Sequence, residues 1–235
     1  MPLKLATKFD PQPQKFEIAL RAGFRHAELW LDEGVLAVWQ PVVAEARRYP
    51  IGYALHFPNQ LKLGSESLEQ TVALYQALDC FSLVIHQPMY DKFHSALSEL
   101  DPALRFAVEN HRLSVDGFDE WAEVNPGLAL DVEHLWKFTL GDASLDKLLD
   151  SVRAFLTRFA HKLRHIHLPG YWPGFREHRP MYCARDMILP VFSLLAEFQF
   201  AGLVVSEIER EYQNVHELSM DVALFETWRE QYAGR

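Results

Sequence analysis

The chain has 235 residues, of which 49% are apolar and 23% are charged, and its formal net charge is −9. This is the ordinary composition of a globular protein. Because affinity for nucleic acid comes largely from basic groups that neutralise phosphates, the acidic balance argues against a dedicated nucleic-acid partner.

The cysteines and the hydropathy of the sequence further narrow the possible classes of protein. The two cysteines, Cys80 and Cys183, form no CxxC pair, so we expect no disulfide framework and a cytoplasmic setting. The N-terminal residues lack the apolar stretch of a signal peptide. No apolar run reaches the roughly 18 residues that a membrane span needs, so we expect no membrane partner.

Short apolar and β-branched runs alternate with longer stretches of helical periodicity along the whole chain. The eight runs interpreted as strands are 3–9, 26–31, 51–57, 81–86, 104–109, 127–131, 163–168 and 203–208. Helical patterns between them include 35–48 and a strongly amphipathic stretch after Ser144. This alternation predicts a single α/β domain over residues 1–235, a (β/α)₈ TIM barrel with parallel strands. An open doubly wound sheet is the alternative, and no GxGxxG follows the first strand to support it.

Six of the predicted strands end on a side chain that can bind a metal ion or transfer a proton. These residues are His56, His86, Glu109, Asp131, His167 and Glu207. In a closed barrel the carboxyl ends of the strands meet at one mouth, where active sites lie. Burying three carboxylates together is costly unless a cation compensates them, and histidine readily joins such a cation. The pattern therefore predicts a divalent-metal site, although a lone histidine at a strand end more often has a structural role.

Three further residues near these strand ends need a separate interpretation. His134 follows Asp131 by three residues and either lies in the mouth or simply begins a helix. Of His165 and His167, we expect only His167 to face the barrel interior. Glu28, in the middle of the second strand, either reaches the mouth or has a structural role between strands.

The longest irregular stretch, residues 169–182, follows the seventh strand and predicts a lid or a binding loop. Arg176 and Arg179 could bind a carboxylate or phosphate group of a substrate there, or form ion pairs on the surface. Trp172 could stack on a sugar ring, or pack the loop onto the barrel.

The ordered series of strand-end residues resembles the xylose isomerase-like TIM barrel superfamily. The series consists of the Glu of VEN, the DxxH, the His of HIHL and the Glu of VVSE, and it covers nearly the whole chain. No single motif is specific, but the order and spacing together are. The superfamily contains sugar isomerases and epimerases as well as DNA-repair enzymes of the endonuclease IV type.

Similarity to the epimerase branch implies one divalent ion, Mn²⁺, Mg²⁺ or Zn²⁺, held by a four-residue core. That core would be Glu109, Asp131, His167 and Glu207. The two glutamates would transfer protons through an enediolate, and His134 would hold a small sugar or hydroxy-carbonyl substrate.

Similarity to the endonuclease IV branch implies instead a cluster of Zn²⁺ ions. An outer set of residues would then hold additional metal rather than substrate: His56, His86, His134 and His178. One acidic ligand of that branch, two residues before His178, is Arg176 here, and a cation at this position disfavours the full cluster. A metal-dependent isomerase or epimerase is therefore favoured over a zinc phosphodiesterase and over a non-catalytic carbohydrate-binding or metal-binding barrel. The oligomeric state stays open, a homo-oligomer included.

Overall fold

The computed structural model of the protein describes residues 3–233. Eight strands form one closed barrel in chain order, and every neighbouring pair is parallel. The strands are β1 (Lys4–Phe9), β2 (His26–Trp30), β3 (Gly52–His56), β4 (Leu83–His86), β5 (Phe106–Glu109), β6 (Leu128–Asp131), β7 (Leu163–His167) and β8 (Leu203–Ser206). Each strand lies within its predicted range, and the predicted (β/α)₈ barrel is confirmed.

Helices connect the strands and cover the outside of the barrel. They are α1 (Pro13–Ala22), α2 (Glu33–Ala37), α3 (Trp39–Ala46), α4 (Ser65–Ala77), α5 (Gln87–Leu100), α6 (Val115–Val124), α7 (Val132–His134), α8 (Leu145–Phe159), α9 (Arg185–Glu197) and α10 (Val215–Ala233). A π-helical turn continues α7, and short 3₁₀ turns precede α9 and α10. No helix among the described residues is both long and apolar enough to cross a membrane.

The single helix expected over residues 35–48 is wrong, because the structure has two helices there. The chain leaves helical geometry at Val38, where φ is −123°, and α3 starts at the next residue. The break places Pro41 in the first turn of α3, where its missing N–H is not needed. In a continuous helix the same proline would leave the carbonyl of Ala37 without a donor.

The barrel interior is built in layers, because alternate residues of each strand point inward. One layer consists of small or medium apolar side chains: Ala6, Ala54, Val84, Ala107, Ala129, Leu203 and Val205. Two residues further along six of these strands come Lys8, His56, His86, Glu109, Asp131 and Glu207. The same register that fills the apolar layer therefore directs these polar side chains into the carboxyl-terminal mouth.

The main apolar core lies between the strands and the surrounding helices. Helix α8 shows how the sequence builds it: Ser144 caps the helix by accepting the backbone N–H of Lys147, as predicted. Leu148, Val152 and Phe155 then follow at helical spacing and are buried. Each such side chain contributes about 1.5–3 kcal/mol of burial free energy, which holds the barrel that positions the mouth.

Candidate metal centre

The four predicted core ligands lie at the carboxyl ends of four successive strands. Glu109, Asp131 and His167 are the last residues of β5, β6 and β7, and Glu207 directly follows β8. The first three are buried, and the side chain of Glu207 is 18% exposed. The closed parallel barrel thus brings together residues that are almost 100 positions apart along the chain.

The ring of His167 is at the centre of this group. Its Nδ1 atom lies 2.9 Å from Oε2 of Glu207, 3.4 Å from Oε2 of Glu109 and 3.9 Å from Oδ2 of Asp131. Nδ1 of His167, Oε2 of Glu207 and Oδ2 of Asp131 are all buried and make no hydrogen bond within residues 3–233.

These converging atoms fit a divalent cation. Buried polar atoms that lack a partner cost free energy, and clustered carboxylates cost more. Glu109, Asp131 and His167 each offer a ligand atom within 4.8 Å of the others. Carboxylate oxygens together with an imidazole nitrogen suit Mn²⁺, Mg²⁺ or Zn²⁺, so a cation among them would satisfy all of these atoms.

Local sequence explains how Asp131 is oriented. The side chain of Asn110 donates to the backbone carbonyl of Asp131 at 3.0 Å and accepts its N–H at 2.6 Å. Oδ1 of Asp131 then accepts the backbone N–H of His134 at 2.8 Å and begins α7. Because Oδ1 caps the helix, Oδ2 is the oxygen that faces the other ligands. Asn110 was not predicted as a site residue, and its position next to Glu109 is the only signal in the sequence.

Three members of the outer set surround Glu109. Nε2 of His56 lies 3.2 Å and Nε2 of His86 lies 3.3 Å from Oε2 of Glu109, and Nδ1 of His134 lies 3.5 Å from Oε1. Burial lowers the pKa of His134, but the charges of Asp131 and Glu109 outweigh it and raise the pKa to about 9. His134 can therefore donate hydrogen bonds toward the mouth at neutral pH.

A cavity of about 560 Å³ opens beside these residues. Its lining includes Glu109, Glu207 and all four residues of the outer set, namely His56, His86, His134 and His178. Lys8, Trp30, His111 and Arg112 line it as well. This volume is in the range of cavities that enclose one small molecule.

Neighbouring cationic groups favour the ionised form of both core glutamates. Burial opposes the ionisation of Glu109, but His86 and His167 hold its pKa well below the usual range. Burial acts on Glu207 in the same direction, and there Lys8 and His167 hold the pKa low. At neutral pH both carboxylates can therefore bind a cation or accept a proton.

A buried polar network that was not predicted from the sequence lies under the four candidate ligands. Nζ of Lys8 donates to Oε1 of Glu207 at 2.8 Å and lies 3.1 Å from Oε1 of Glu28. Oε2 of Glu28 lies 2.9 Å from Nε2 of His167 and 2.6 Å from Nε2 of His165. The signal in the sequence is a charged residue within an apolar strand, Lys8 in β1 and Glu28 in β2.

The expectation that only one of the two β7 histidines faces the interior is wrong. His165 and His167 lie two positions apart, and the side chains of such a pair point to the same face of a strand. Both rings are fully buried and both contact Glu28. His165 also contacts Oγ of Ser82 at 3.2 Å, so it belongs to the layer below the ligands.

His178 reaches the centre from the loop after β7. Its φ of +55° lies in the left-handed region, which is costly for a residue with a side chain. Two hydrogen bonds hold it there: Glu133 accepts its backbone N–H at 2.9 Å, and its carbonyl accepts the N–H of Glu209 at 2.9 Å. Nε2 of His178 consequently lies 3.6 Å from Oε1 of Glu207. Glu133, which the sequence analysis also missed, is fully buried, and burial raises its pKa to about 7.

The same loop carries Arg176 away from the cavity. Gly170 and Arg179 pair across the loop through two backbone hydrogen bonds of 2.7 and 3.1 Å. A Cβ atom at Gly170 would overlap the carbonyl oxygen of Pro180, so this closure requires glycine. The side chain of Arg176 is 76% exposed and contacts Glu211 at 3.2 Å.

The other two predicted substrate contacts are likewise outside the cavity lining. The guanidinium carbon of Arg179 lies 5.6 Å from the ring centre of Phe175. Trp172 is 42% exposed and packs edge-on against Trp136. The structure brings together the core and the outer set, whereas substrate binding by Arg176, Arg179 and Trp172 stays a prediction.

Comparisons with protein-family models and with curated protein sequences give no match. Solved structures are similar in fold. A D-tagatose 3-epimerase-like protein has a TM-score of 0.69 at 14% identity, with 97% of each chain covered. An L-ribulose 3-epimerase has a TM-score of 0.60 at 14% identity, covering 98% of this chain and 97% of its own.

Endonuclease IV from Thermus thermophilus is similar to the same degree. Its TM-score is 0.65 at 14% identity, covering 97% of this chain and 99% of its own. Both branches considered from the sequence are thus represented among structures of similar architecture. The chain shares the TIM-barrel fold of these enzymes, which is the fold that the resemblance of its strand-end residues implies.

Proposed function

We propose that the protein is a divalent-metal-dependent isomerase or epimerase of a small sugar or hydroxy-carbonyl compound. One observation carries the proposal. Three carboxylates and Nδ1 of His167 converge beside a cavity of about 560 Å³, and the converging atoms include three buried ones without a hydrogen-bond partner in residues 3–233. An ion at this point would contact the substrate that fills the cavity.

Glu109, Asp131, His167 and Glu207 would hold the cation. When bound, it would supply Lewis acidity that favours negative charge on the oxygens of an enediolate. The two ionised glutamates line the cavity from different strands. One would remove the proton beside the carbonyl group. The other would take up a proton from solvent and deliver it to the neighbouring atom or to the opposite face. His134, which also lines the cavity, would donate a hydrogen bond to a substrate oxygen.

The substrate class is supported by the similar structures and by the chemistry of the cavity. Two of the similar proteins are described as a D-tagatose 3-epimerase-like protein and an L-ribulose 3-epimerase, and these names refer to ketose sugars. The cavity lining combines ionised carboxylates, imidazoles and Trp30, groups that can bind hydroxyls and the apolar face of a sugar ring.

Solvent-proton exchange tests the proposal even when the product is unidentified. The Mn²⁺-loaded protein is incubated with a panel of ketoses in D₂O, and deuterium incorporation next to the carbonyl is followed by NMR. We expect exchange in the wild type, none in Glu207→Gln, and unchanged exchange in Glu197→Gln, which alters an exposed carboxylate on α9. Undiminished exchange in Glu207→Gln would contradict the assignment of Glu207.

A zinc phosphodiesterase of the endonuclease IV type is the alternative. The observation that favours it is the contact of His56 and His86 with Oε2 of Glu109, since these groups could hold a second cation. Against it, Arg176 replaces an acidic ligand and lies at the surface. Hydrolysis of a labelled DNA duplex by the Zn²⁺-loaded wild type, lost in His86→Ala, would favour the alternative over the isomerase.

A further inference from the structure

Strand β1 brings a lysine ammonium under the candidate metal centre. Lys8 points inward two residues after Ala6, and its side chain is only 11% exposed. Nζ lies 2.8 Å from Oε1 of Glu207 and 3.1 Å from Oε1 of Glu28. A lysine is almost never buried to this degree unless it is paired, so the two carboxylates and the ammonium depend on one another.

The two carboxylate oxygens of Glu207 have different neighbours, because the ammonium of Lys8 binds only one of them. Oε1 accepts the hydrogen bond from Lys8. Oε2 is buried, has no hydrogen-bond donor within residues 3–233, and lies 2.9 Å from Nδ1 of His167. Without Lys8, the carboxylate could rotate and present either oxygen, or both, toward the other ligands.

Glu28 links the same ammonium to the imidazole ligand. Its Oε2 pairs with Nε2 of His167 at 2.9 Å, while its Oε1 faces Lys8. A carboxylate that accepts one ring N–H fixes the tautomer and the plane of a metal-binding histidine. Nδ1, which lies within 3.9 Å of all three core carboxylates, is then the nitrogen left for a cation.

We propose that Lys8 is a positioning residue of this centre, which orients Glu207 directly and His167 through Glu28. It makes Oε2 of Glu207 and Nδ1 of His167 the ligand atoms for a divalent cation. This inference rests on the metal centre of the proposed function but not on the identity of the substrate. Its test therefore measures metal binding rather than turnover.

The direction in which metal affinity changes when Lys8 is removed distinguishes positioning from simple electrostatic repulsion. An ammonium next to a ligand repels a cation, so its removal would strengthen metal binding if charge were its whole contribution. If Lys8 holds the ligands in place, its removal weakens binding despite the lost repulsion. Loss of an outer partner of this kind reduces metal affinity by about 10–100-fold.

The experiment titrates Mn²⁺ into metal-free protein and follows free Mn²⁺ by electron paramagnetic resonance. We expect Lys8→Met to weaken Mn²⁺ binding by about 10–100-fold. Lys4→Met is the matched control, because Lys4 lies on the same inward face of β1 at the opposite end, 4.5 Å from the ring of Phe81. Its Mn²⁺ affinity should equal that of the wild type. Thermal unfolding of the metal-free proteins checks that each variant is folded.

A double variant covers the case in which Lys8→Met does not fold. Lys8→Met combined with Glu28→Gln leaves no uncompensated charge at this pair, and it should still bind Mn²⁺ more weakly than the wild type. Equal or tighter Mn²⁺ binding in either folded variant would overturn the inference while leaving the metal centre intact. A wild-type protein that binds no Mn²⁺ would overturn the metal centre and the inference with it.

Discussion

Two adjacent layers inside the barrel use the same strands for opposite purposes. On the amino-terminal side, the interior contains small and medium apolar side chains such as Ala54, Ala107 and Leu203. Two residues further along, β3 and β5 present His56 and Glu109 instead. The apolar layer needs only close packing, whereas the polar layer is stable only if each charge finds a partner.

The two parts of the polar layer differ in how far they meet this requirement. In its lower part Lys8 and Glu28 neutralise each other, and Glu28 also contacts both β7 histidines. In its upper part Oδ2 of Asp131 and Oε2 of Glu207 have no hydrogen-bond partner among residues 3–233. A cation is the partner that would complete the upper part, and the difference between the layers can be tested by changing one at a time.

The largest expected effect on stability follows from removing Glu28 from the lower part of the polar layer. Glu28→Leu should reduce the unfolding free energy of the metal-free protein by about 3–5 kcal/mol, because Lys8 and His165 lose a buried partner. Leu203→Ala, in the apolar layer, should cost about 2–5 kcal/mol through its cavity. Urea denaturation measures both. The two variants should differ in Mn²⁺ affinity, which falls only in Glu28→Leu, and a Glu28→Leu protein as stable as the wild type would contradict the role of this pair.

A buried carboxylate outside the barrel interior provides the next comparison. Asp221, on α10, accepts hydrogen bonds from Oγ of Ser206 and the backbone N–H of Tyr182. Burial raises its pKa from the usual 3.8 to about 6. The native state therefore binds a proton more tightly than the unfolded chain between these values, so the contribution of Asp221 to stability falls as pH rises from about 4 to 6.

The variant Asp221→Asn isolates this contribution. We expect it to be more stable than the wild type above pH 6, by at most about 3 kcal/mol, and to lose that advantage below pH 4. Urea denaturation across pH 4 to 8 compares the two proteins. A difference in stability that does not change with pH would contradict the account of this carboxylate.

Metal binding should stabilise the folded protein, and it should do so only through the upper part of the polar layer. At a free Mn²⁺ concentration about 100 times the dissociation constant, the unfolding free energy should rise by about 2.7 kcal/mol relative to protein in EDTA. Asp131→Asn should lose most of this gain, and Leu203→Ala should keep it. Denaturation curves with and without Mn²⁺ measure the effect, and an equal gain in Asp131→Asn would argue that the ion binds elsewhere.

The smallest effect is expected at the surface of the loop after β7. Arg176→Ala removes an exposed ion pair with Glu211 and should change stability by less than about 1 kcal/mol. Once a substrate is known, the KM of this variant decides the prediction made from the sequence. An unchanged KM excludes a contact between Arg176 and the substrate, and a raised KM supports one.

The convergence of the candidate ligands was predictable because a strand has a period of two and a parallel barrel has one mouth. Glu109, Asp131 and His167 follow directly from these two rules. The prediction for His165 was wrong because residues two positions apart on a strand point to the same face, so His165 and His167 both point inward. The break at Val38 was not predicted, because the helical spacing of apolar residues continues across it. Pro41 is the residue that makes one continuous helix unfavourable there.

Contacts between distant segments were beyond sequence reasoning. The pairing of Lys8 with Glu28 depends on the register of β1 against β2, and its pairing with Glu207 depends on the register of β8 against β1. No local pattern encodes either register. The course of the loop after β7 depends on Glu133 and on the close approach at Gly170. These contacts direct His178 inward and Arg176 outward, although both residues have similar local sequence surroundings.

The most direct test of the account is the metal content of the protein. Wild type and Asp131→Asn are saturated with Mn²⁺, freed of unbound ions and analysed by inductively coupled plasma mass spectrometry. A centre built from Glu109, Asp131, His167 and Glu207 predicts one ion per wild-type chain and a large loss of that ion in the variant. Two or more ions per chain, or none, would contradict the centre as described.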